Sequence, residues 1–440
     1  DLHKEYRRQR QMCIRDRSKA LLTAVHSVET IHNAERMGIN ATLQSIDFGR
    51  LRDFRVSTVE TMTKGLTGLL AHRGVTVFRG CAALQNAHTV RVTPAEGETQ
   101  VSRSVEAGVF EPVETELAID ADDVVLATGS RPLALPGNPF AGALIDSTQA
   151  LELNTLPSSA VIIGAGAVAL EFASLWNAAD CEVTLLIRKD RVLSTWERRA
   201  SMTLTRELKR RGVNVIARTA VDRVDTGANL GATVHYRQGD SDEDRTAYGE
   251  VVLAAIGRVP NTDADWFRSS GLKLDERGYV TVDGYGRTNL DGVWALGDIT
   301  PGHALAHRAF EQGITIAEKI AGADPKPVID DTVPQVVFSF PEAASVGLTL
   351  DQAKALEDVV EPKETAYPML SNARMLMSGE GGSMTVVSGA FANNPDMQVV
   401  LGVHIVSPIA SDLIAEAEQL VGNRVPLADA ARLIHPHPCL

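Results

Sequence analysis

A glycine-rich stretch in the middle of the chain, VIIGAGAVALE at residues 161–171, has the spacing of a loop that binds nucleotide phosphates. Gly164 follows an apolar run and permits a tight turn, and Gly166 lets the backbone approach a pyrophosphate without an intervening Cβ. Ala169 takes the third glycine's place, where a small side chain keeps helix and strand close. The helix that follows offers free N–H groups to phosphates. The stretch predicts a dinucleotide site, although such a pattern alone also fits a strand–helix turn without a ligand.

The second strand of this unit bears on the choice between NAD and NADP. In EVTLLIRKDR at 182–191, Ile187 ends the apolar run, and no acid stands at the strand end to bind the ribose 2′-hydroxyl of NAD. Arg188, Lys189 and Arg191 stand there instead. Cations suit a 2′-phosphate through charge-assisted hydrogen bonds. The pattern favours NADP, or a relaxed preference for either nucleotide, over a solvated basic turn.

Two more short stretches hold residue types that do chemistry. ALGD at 295–298 places Asp298 at a strand end, where a carboxylate accepts hydrogen bonds from a polyol or caps a helix. In LIHPHPCL at 433–440, His435 and His437 alternate with prolines, which hold both imidazoles in a stiff, extended segment. Histidine suits general acid–base catalysis near neutral pH. A histidine-bearing tail without a catalytic role fits the same pattern.

The elements that position these residues follow from hydrophobic periodicity. It predicts a helix that begins at Ser18 and a second helix over residues 56–71. From Ser158 the pattern is strand, glycine turn, helix, strand, which is a βαβ unit. Further elements are predicted as strands at 75–84, 89–94, 99–107, 122–132, 251–261 and 292–300 and a helix at 305–321. A linker rich in Pro and Asp at 323–335 leads to a region of mixed strands and helices, as in an α+β domain.

Composition narrows the function classes. The 440 residues have a net charge of −13, which disfavours a sequence-independent grip on nucleic acid. No apolar run reaches the roughly 18 residues of a membrane helix. The four cysteines, at 13, 81, 181 and 439, form no CxxC or CxxxxC pair and no metal-ligand spacing. We therefore expect no metal, no membrane and no nucleic-acid partner, and a reducing cytoplasm as the location.

Taken together, six segments resemble landmarks of the flavin-dependent pyridine nucleotide-disulfide oxidoreductases, in the same order. They are ATGSRP (127–132), GAGAVALEFA (164–173), AAIGRVPN (254–261), ALGD (295–298), FPEAASVGLT (340–349) and HPHP (435–438). The resemblance implies an α/β fold with two Rossmann-like nucleotide-binding domains, the FAD domain incomplete and the NAD(P) domain intact, and a C-terminal α+β dimerisation domain. The implied division is a non-native segment at 1–17, a partial FAD domain at 18–149, the NAD(P) domain at 150–272, a return to the FAD domain at 273–328 and the dimerisation domain at 329–440.

The resemblance also implies roles for individual residues. The residues that would contact FAD are Lys19, Ala127, Thr128, Gly129, Ser130, Asp298, Leu305, Ala306 and His307. Those that would line the NAD(P) site are Gly164, Gly166, Glu171, Ile187, Arg188 and Gly257. The catalytic residues would be His437 and, beside it, His435. In this family such a histidine works on the thiols of the other subunit, so a homodimer is implied.

The branch that acts on lipoyl dithiols resembles the chain most, through LAHRAFEQG (305–313) and the HxHP ending, whereas LLIRKDRVL (185–193) resembles the NADPH segment of glutathione reductases. The implied reaction oxidises dihydrolipoamide to lipoamide by way of a redox disulfide, FAD and NAD or NADP. The implied partner is a dithiol or disulfide small molecule, or the lipoyl domain of a 2-oxoacid dehydrogenase complex. Alternatives are a glutathione- or mycothione-type disulfide reductase, an NAD(P)H:quinone reductase that needs no cysteines, and a nucleotide-binding pseudoenzyme.

The resemblance leaves some family features unmatched. No GxGxxG precedes Ser18, and Cys13 lies two positions before the expected second redox cysteine, where Arg15 stands. The glutamate expected five residues after His437 would fall beyond Leu440. We therefore expect a fragment truncated at both ends, with a foreign segment before Ser18, that binds little FAD and lacks dithiol-linked activity.

Overall fold

The helices of the protein follow its amphipathic stretches. The computed structural model describes residues 14–227 and 231–438, with side chains from Ser18 onward. The α-helices there are α1 (Ile14–Asn33), α2 (Phe48–His72), α3 (Ser147–Ala150), α4 (Ala167–Ala178), α5 (Arg198–Arg210), α6 (Trp266–Ser269), α7 (Ala306–Ile320), α8 (Leu350–Ala355), α9 (Ala373–Ser378), α10 (Ala410–Gly422) and α11 (Leu427–Ala430). Short 3₁₀ helices lie at Ala34–Met37, Gly297–Ile299, Asp330–Thr332 and Met369–Ser371.

The strands are short in the first third of the chain and longest near its C-terminal end. They are β1 (Phe78–Arg79), β2 (Cys81–Asn86), β3 (Thr89–Thr93), β4 (Ser102–Glu106), β5 (Val109–Pro112), β6 (Leu117–Asp120), β7 (Val124–Leu126), β8 (Ser130–Pro132), β9 (Leu144–Ile145), β10 (Ser159–Ile163), β11 (Glu182–Ile187), β12 (Asn214–Ala217), β13 (Thr219–Thr226), β14 (Ala232–Gln238), β15 (Arg245–Gly249), β16 (Val251–Ala254), β17 (Arg258–Pro260), β18 (Val293–Ala295), β19 (Gln335–Val337), β20 (Glu342–Gly347), β21 (Val359–Pro368), β22 (Ser383–Phe391) and β23 (Asn394–Ser407).

The first of two compact units takes in residues 56–131 and 258–330 of the described chain. Its strands form two three-stranded antiparallel sheets, β1-β4-β5 and β2-β3-β6, and two two-stranded pairings, β7 with β18 in parallel and β8 with β17. Val124 and Leu126 of β7 and Val293 and Ala295 of β18 are buried in one core with Phe267. Because β7 and β18 are parallel, their carboxyl ends bring residues 127–130 and 296–298 to the same edge.

The second unit takes in residues 14–55, 132–257 and 331–438, and its largest parallel sheet has the order β12-β11-β10-β16-β9. The strand β10 is buried along almost its whole length, as expected for a parallel sheet covered on both faces. Leu22 of α1 and Phe172 of α4 belong to one hydrophobic core with Ile162 and Leu185 of the sheet. The strand order reverses between β10 and β16, and ligands bind at the carboxyl ends of strands at such a point.

Two antiparallel sheets complete the second unit. One is β13-β14-β15, and the other is the five-stranded β19-β20-β23-β22-β21 near the C-terminal end of the chain. The helix α10 packs on this second sheet, where Ile414 and Ala417 share a core with Val346 and Ile405. No helix in the described residues is long and apolar enough to cross a membrane.

The structure corrects several predicted boundaries. The first helix already includes Ile14, four residues before its predicted start at Ser18. The second begins at Phe48 rather than at residue 56. The single strand predicted over 75–84 is two strands, because β1 and β2 pair in different three-stranded sheets and the chain passes from one to the other at Gly80. A Cβ at Gly80 would lie 2.6 Å from Cγ1 of Val92. Cys13, Cys439 and the segment before Ile14 lie outside the described residues. The five-part domain division stays a prediction.

Candidate functional site

The glycine-rich loop connects β10 to α4 and leaves an open space at the start of the helix. Gly164 has φ +141°, and an added Cβ would lie 2.8 Å from the carbonyl carbon of Ala255. Gly166 is the N-cap of α4, and a Cβ there would meet nothing within 4 Å. The open space at Gly166 lies in front of a helix N-terminus, where backbone N–H groups can bind a pyrophosphate. The residues present therefore fit NAD(P).

The basic segment after β11 is held against this loop. Leu193, with φ +45°, donates its N–H to the carbonyl oxygen of Ala165 at 2.9 Å. Ile187 is fully buried at the end of β11, and Arg188 and Lys189 follow it as exposed residues. Gly257, with φ +148°, accepts a backbone hydrogen bond of 3.0 Å from Leu133. The predicted residues of the NAD(P) site that follow β10, β11 and β16 thus lie at the carboxyl edge of one sheet.

Lys19 and Glu171 form an ion pair on α1 and α4. The Lys19 Nζ lies 2.8 Å from both carboxylate oxygens of Glu171, with 32% of the lysine side chain and 12% of the glutamate side chain exposed. The same ammonium lies 4.3 Å from the ring centroid of Phe338. The N–H of Phe338 donates to Glu171 Oε1 at 3.2 Å. The structure thus shows Glu171 engaged by Lys19 and by the backbone, while its predicted role beside the nicotinamide nucleotide stays a prediction.

In the first unit, the two neighbouring strand ends bring Ser130 and Asp298 together. The Ser130 hydroxyl donates to Asp298 Oδ2 at 2.6 Å. Arg258 donates to both the hydroxyl and the carbonyl oxygen of Ser130, at 2.7 Å each. Within the described residues every hydrogen bond given to the Asp298 carboxylate comes to Oδ2, so Oδ1 remains as an acceptor. The half-buried carboxylate fits a hydroxyl of the FAD polyol chain.

The other residues predicted near FAD lie at the same strand ends or at the start of α7. Ala127 and Thr128 are exposed, and the Thr128 hydroxyl donates to the carbonyl oxygen of Asn261 at 2.9 Å. Gly129 has φ +72°, the left-handed conformation expected of a glycine in a turn. Leu305 is the N-cap of α7, with Ala306 and His307 in its first turn.

The segment before and within α7 depends on residues that the sequence patterns did not single out. Arg308 is buried and donates to Asp330 Oδ1, and also to the Thr300 hydroxyl at 3.2 Å. Gln312 accepts the N–H of Gly297 at 2.8 Å. Both lie in LAHRAFEQG, but the burial of Arg308, which marks this network, is known only from the structure.

The two C-terminal histidines have different surroundings. His435 Nε2 lies 2.8 Å from Glu416 Oε1 on α10, and Nδ1 lies 3.1 Å from the carbonyl oxygen of Leu433. The hydrogen bond and the charge of Glu416 raise the pKa of His435. His437 is exposed, and no hydrogen bond or ion pair joins its ring to the described residues. Its imidazole is therefore accessible to a partner.

Neither described cysteine is part of a pair. Cys181 is buried, and desolvation raises the pKa of its thiol to about 12, so the nucleophilic thiolate is not formed near neutral pH. Cys81 is exposed on β2 and belongs to the first unit. The structure therefore offers no redox pair among its described cysteines.

The predicted site residues fall into two sets, one in each unit. The first unit contains Ala127, Thr128, Gly129, Ser130, Asp298, Leu305, Ala306 and His307. The second contains Lys19, Gly164, Gly166, Glu171, Ile187, Arg188, Gly257, His435 and His437.

Two family models match the chain. The model described as pyridine nucleotide-disulphide oxidoreductase matches residues 11–313. The model described as the dimerisation domain of the same family matches residues 333–440. Together they span most of the chain.

Relatives and solved structures agree with these matches. A dihydrolipoyl dehydrogenase of Geobacillus stearothermophilus is 34% identical over 428 residues, which cover 96% of this chain and 84% of the relative. One of Bacillus subtilis is 32% identical over 429 residues, with the same coverage. The crystal structure of LpdA from Mycobacterium tuberculosis superposes with a TM-score of 0.80 at 25% identity, over 97% of this chain and 88% of that one. These comparisons do not support the predicted truncation, and the expectation of weak FAD binding stays a prediction.

Proposed function

Because the chain belongs to the pyridine nucleotide-disulphide oxidoreductase family, an enzyme family that uses FAD and NAD(P), we propose that it oxidises a dihydrolipoyl dithiol. The dithiol loses two electrons and two protons and closes to a disulfide. NAD(P)⁺ accepts a hydride, and one proton is released. Bound FAD would supply the two-electron relay between thiolate and nicotinamide. The observation that carries the proposal is the identity of 34% over 96% of the chain with a dihydrolipoyl dehydrogenase.

The second unit supplies the nucleotide end of this reaction. Gly164 and Gly166 leave room for the pyrophosphate, and the N-terminus of α4 presents N–H groups and a partial positive charge to it. Arg188, exposed at the end of β11, would bind the ribose side of the nucleotide. Glu171 and Lys19 neutralise each other in a half-buried position, so neither leaves an uncompensated charge near the helix.

The first unit supplies the flavin end. Asp298, held by Ser130, would accept a ribityl hydroxyl through its remaining oxygen. Thr128 is exposed and Gly129 is partly exposed beside it, and the N-terminus of α7 would stabilise negative charge on the isoalloxazine ring. We assign these roles because the side chains and backbone groups present suit the hydroxyl groups and the ring of FAD.

His437 would be the acid–base residue of the dithiol step. It would take a proton from the substrate thiol, because only the thiolate attacks a disulfide. Its exposed ring and its place two residues after His435, which is hydrogen-bonded to Glu416, support this assignment. Dithiol exchange also requires a protein disulfide, which neither Cys81 nor Cys181 provides. The biological substrate would be the lipoyl domain of a 2-oxoacid dehydrogenase complex in the cytoplasm.

The proposal is tested by separating the two ends of the reaction. FAD-loaded protein is assayed for dihydrolipoamide-dependent reduction of NAD⁺ and NADP⁺, and for NAD(P)H-dependent reduction of glutathione disulfide and of a quinone. In protein that also has the redox cysteine pair that the given sequence lacks, we expect turnover with dihydrolipoamide and none with glutathione disulfide. His437→Gln should lower the dithiol rate by about 10²–10⁴ and leave the quinone rate unchanged.

The second candidate is an NAD(P)H:quinone reductase of the same fold. The absence of any CxxxxC pair from the sequence favours it. Quinone reduction without dihydrolipoamide turnover would replace the proposed function with this one. Turnover with glutathione disulfide alone would point to the disulfide reductases instead.

A further inference from the structure

We propose that Arg218 is the third cation of a 2′-phosphate site and makes the protein prefer NADP over NAD. The inference rests on the proposed function, since it needs a nicotinamide dinucleotide across the end of the parallel sheet. Arg218 lies between β12 and β13, on a different strand connection from the basic segment that follows β11. Sequence spacing alone gives no reason to group it with that segment.

Strand register places Arg218 beside the basic segment. The strands β11 and β12 are parallel neighbours, and their last registered pair is Ile187 with Ala217. The next residue of each chain segment is an arginine, Arg188 in one and Arg218 in the other. The N–H of Arg218 donates to the carbonyl oxygen of Lys189 at 3.0 Å. Both arginines therefore leave the sheet at the same carboxyl edge.

The backbone of Arg218 is held in an unfavourable conformation. Its φ is +57°, a left-handed value that residues with a Cβ rarely adopt. Besides the bond to Lys189, its carbonyl oxygen accepts the N–H of Gly239 at 2.8 Å. Neighbours on both sides thus fix the residue, and strain that is retained in this way is concentrated at ligand sites. The result is a cation anchored at a defined place on the sheet edge.

Three cations at this edge form no ion pair within the described chain. Arg188, Lys189 and Arg218 are exposed, and within the described chain none of their side chains forms an ion pair or a hydrogen bond. Arg191 in the same segment differs, since it bonds Asp190 at 2.9 Å and the carbonyl oxygen of Ser194 at 3.1 Å. The three positive charges repel one another, and an anion bound between them would offset that repulsion. A 2′-phosphate is such an anion and takes charge-assisted hydrogen bonds from several cations at once.

The test measures binding and not turnover. Adenosine 2′,5′-bisphosphate and ADP are titrated calorimetrically into the full chain, its Arg218→Asn variant and a control, Arg424→Asn. Asparagine tolerates left-handed φ, so the substitution removes the charge without adding backbone strain. Arg424 has φ +49° and lies between α10 and α11, away from the parallel sheet, so it matches the change in conformation and in charge.

We expect Arg218→Asn to weaken binding of the 2′,5′-bisphosphate by roughly tenfold and to leave ADP binding unchanged. The affinity of Arg218→Asn for the 2′,5′-bisphosphate should also fall less steeply as the salt concentration rises. Arg424→Asn should change the affinity for neither ligand. Equal affinity for the bisphosphate in Arg218→Asn and the parent chain would overturn the inference, as would a parent that prefers ADP. A parent that binds neither ligand would instead remove the nucleotide site of the proposed function. Arg218→Gly serves the same comparison if the asparagine variant does not fold.

Discussion

At the scale of single residues, Gly164 and Gly166 are two positions apart and are constrained for different reasons. At Gly164 both the φ of +141° and the carbonyl group of Ala255 exclude a Cβ, so the constraint comes from the fold. At Gly166 φ is −91° and nothing lies within 4 Å of a Cβ. The fold does not fill the space in front of Gly166, so a bound ligand could occupy it. Gly164 is therefore needed for folding, and Gly166 for binding.

This difference predicts two distinct outcomes for the same substitution. Gly164→Ala should lower the free energy of unfolding by about 1–3 kcal/mol, because it forces strained backbone or a displaced Ala255. Gly166→Ala should change it by less than about 0.5 kcal/mol yet weaken NAD(P)H binding by about tenfold or more. Urea unfolding and NAD(P)H titration of both variants check this. A stable Gly164→Ala protein, or unaltered NAD(P)H affinity in Gly166→Ala, would contradict it.

At the scale of elements, the five-stranded sheet contains a buried histidine that ties β23 to β20. His404 Nδ1 lies 2.7 Å from the Ser345 hydroxyl, and Nε2 lies 3.2 Å from the carbonyl oxygen of Leu348. The carbonyl accepts only, so Nε2 is the protonated nitrogen and Nδ1 accepts the serine O–H. Burial lowers the pKa of His404, and the Leu348 bond opposes that shift only partly.

The lowered pKa predicts acid destabilisation of this sheet. Below the ordinary histidine pKa of about 6.5 the unfolded chain takes up a proton that folded His404 does not, so stability falls as pH falls. The slope reaches about 1.4 kcal/mol per pH unit for one proton. Urea unfolding at pH 7.5 and 5.5 should show a larger loss for the parent than for His404→Gln, in which all other titrating groups remain. Equal losses would show that His404 takes up its proton equally in the folded and unfolded states, so that folding does not lower its pKa.

At the scale of the whole molecule, the match of residues 333–440 to a dimerisation domain makes a homodimer the expected assembly. The family resemblance assigns His437 to the active site of the other subunit. A C2 dimer would then contain two equivalent sites, each built from both chains. Light scattering should give twice the chain mass of 47.2 kDa.

Shared sites predict complementation between two inactive variants. His437→Gln lacks the proposed base, and Gly166→Ala has a weakened nucleotide site in its own subunit, which stays largely empty when NAD(P)⁺ is assayed well below saturation. After subunit exchange, heterodimers have one intact site, so a one-to-one mixture should regain about a quarter of the parent dithiol activity. Mixing each variant with itself is the control. No recovery in exchanged heterodimers would place His437 in the site of its own chain.

The sequence by itself determined the elements around the nucleotide loop, because their signals are local. A glycine's permitted φ, an apolar strand and a helix start all depend on a few consecutive residues, and GAGAVA shows all three. The same locality explains the errors at Ile14 and Phe48, since helix ends depend on packing as much as on periodicity. The strand predicted over 75–84 divides at Gly80 because its two halves pair in different sheets, which no local pattern shows.

The tertiary structure alone decided which distant residues meet. Lys19 reaches Glu171 across 152 positions and Ser130 reaches Asp298 across 168, and no local pattern encodes either pair. Arg218 lies beside Lys189 because two parallel strands share a register. Register is set by burial over the whole sheet and not by the residues at its edge. For this reason the sequence could predict the candidate site residues, whereas the Lys19–Glu171 ion pair, the Ser130–Asp298 hydrogen bond and the position of Arg218 beside Lys189 could not be predicted from it.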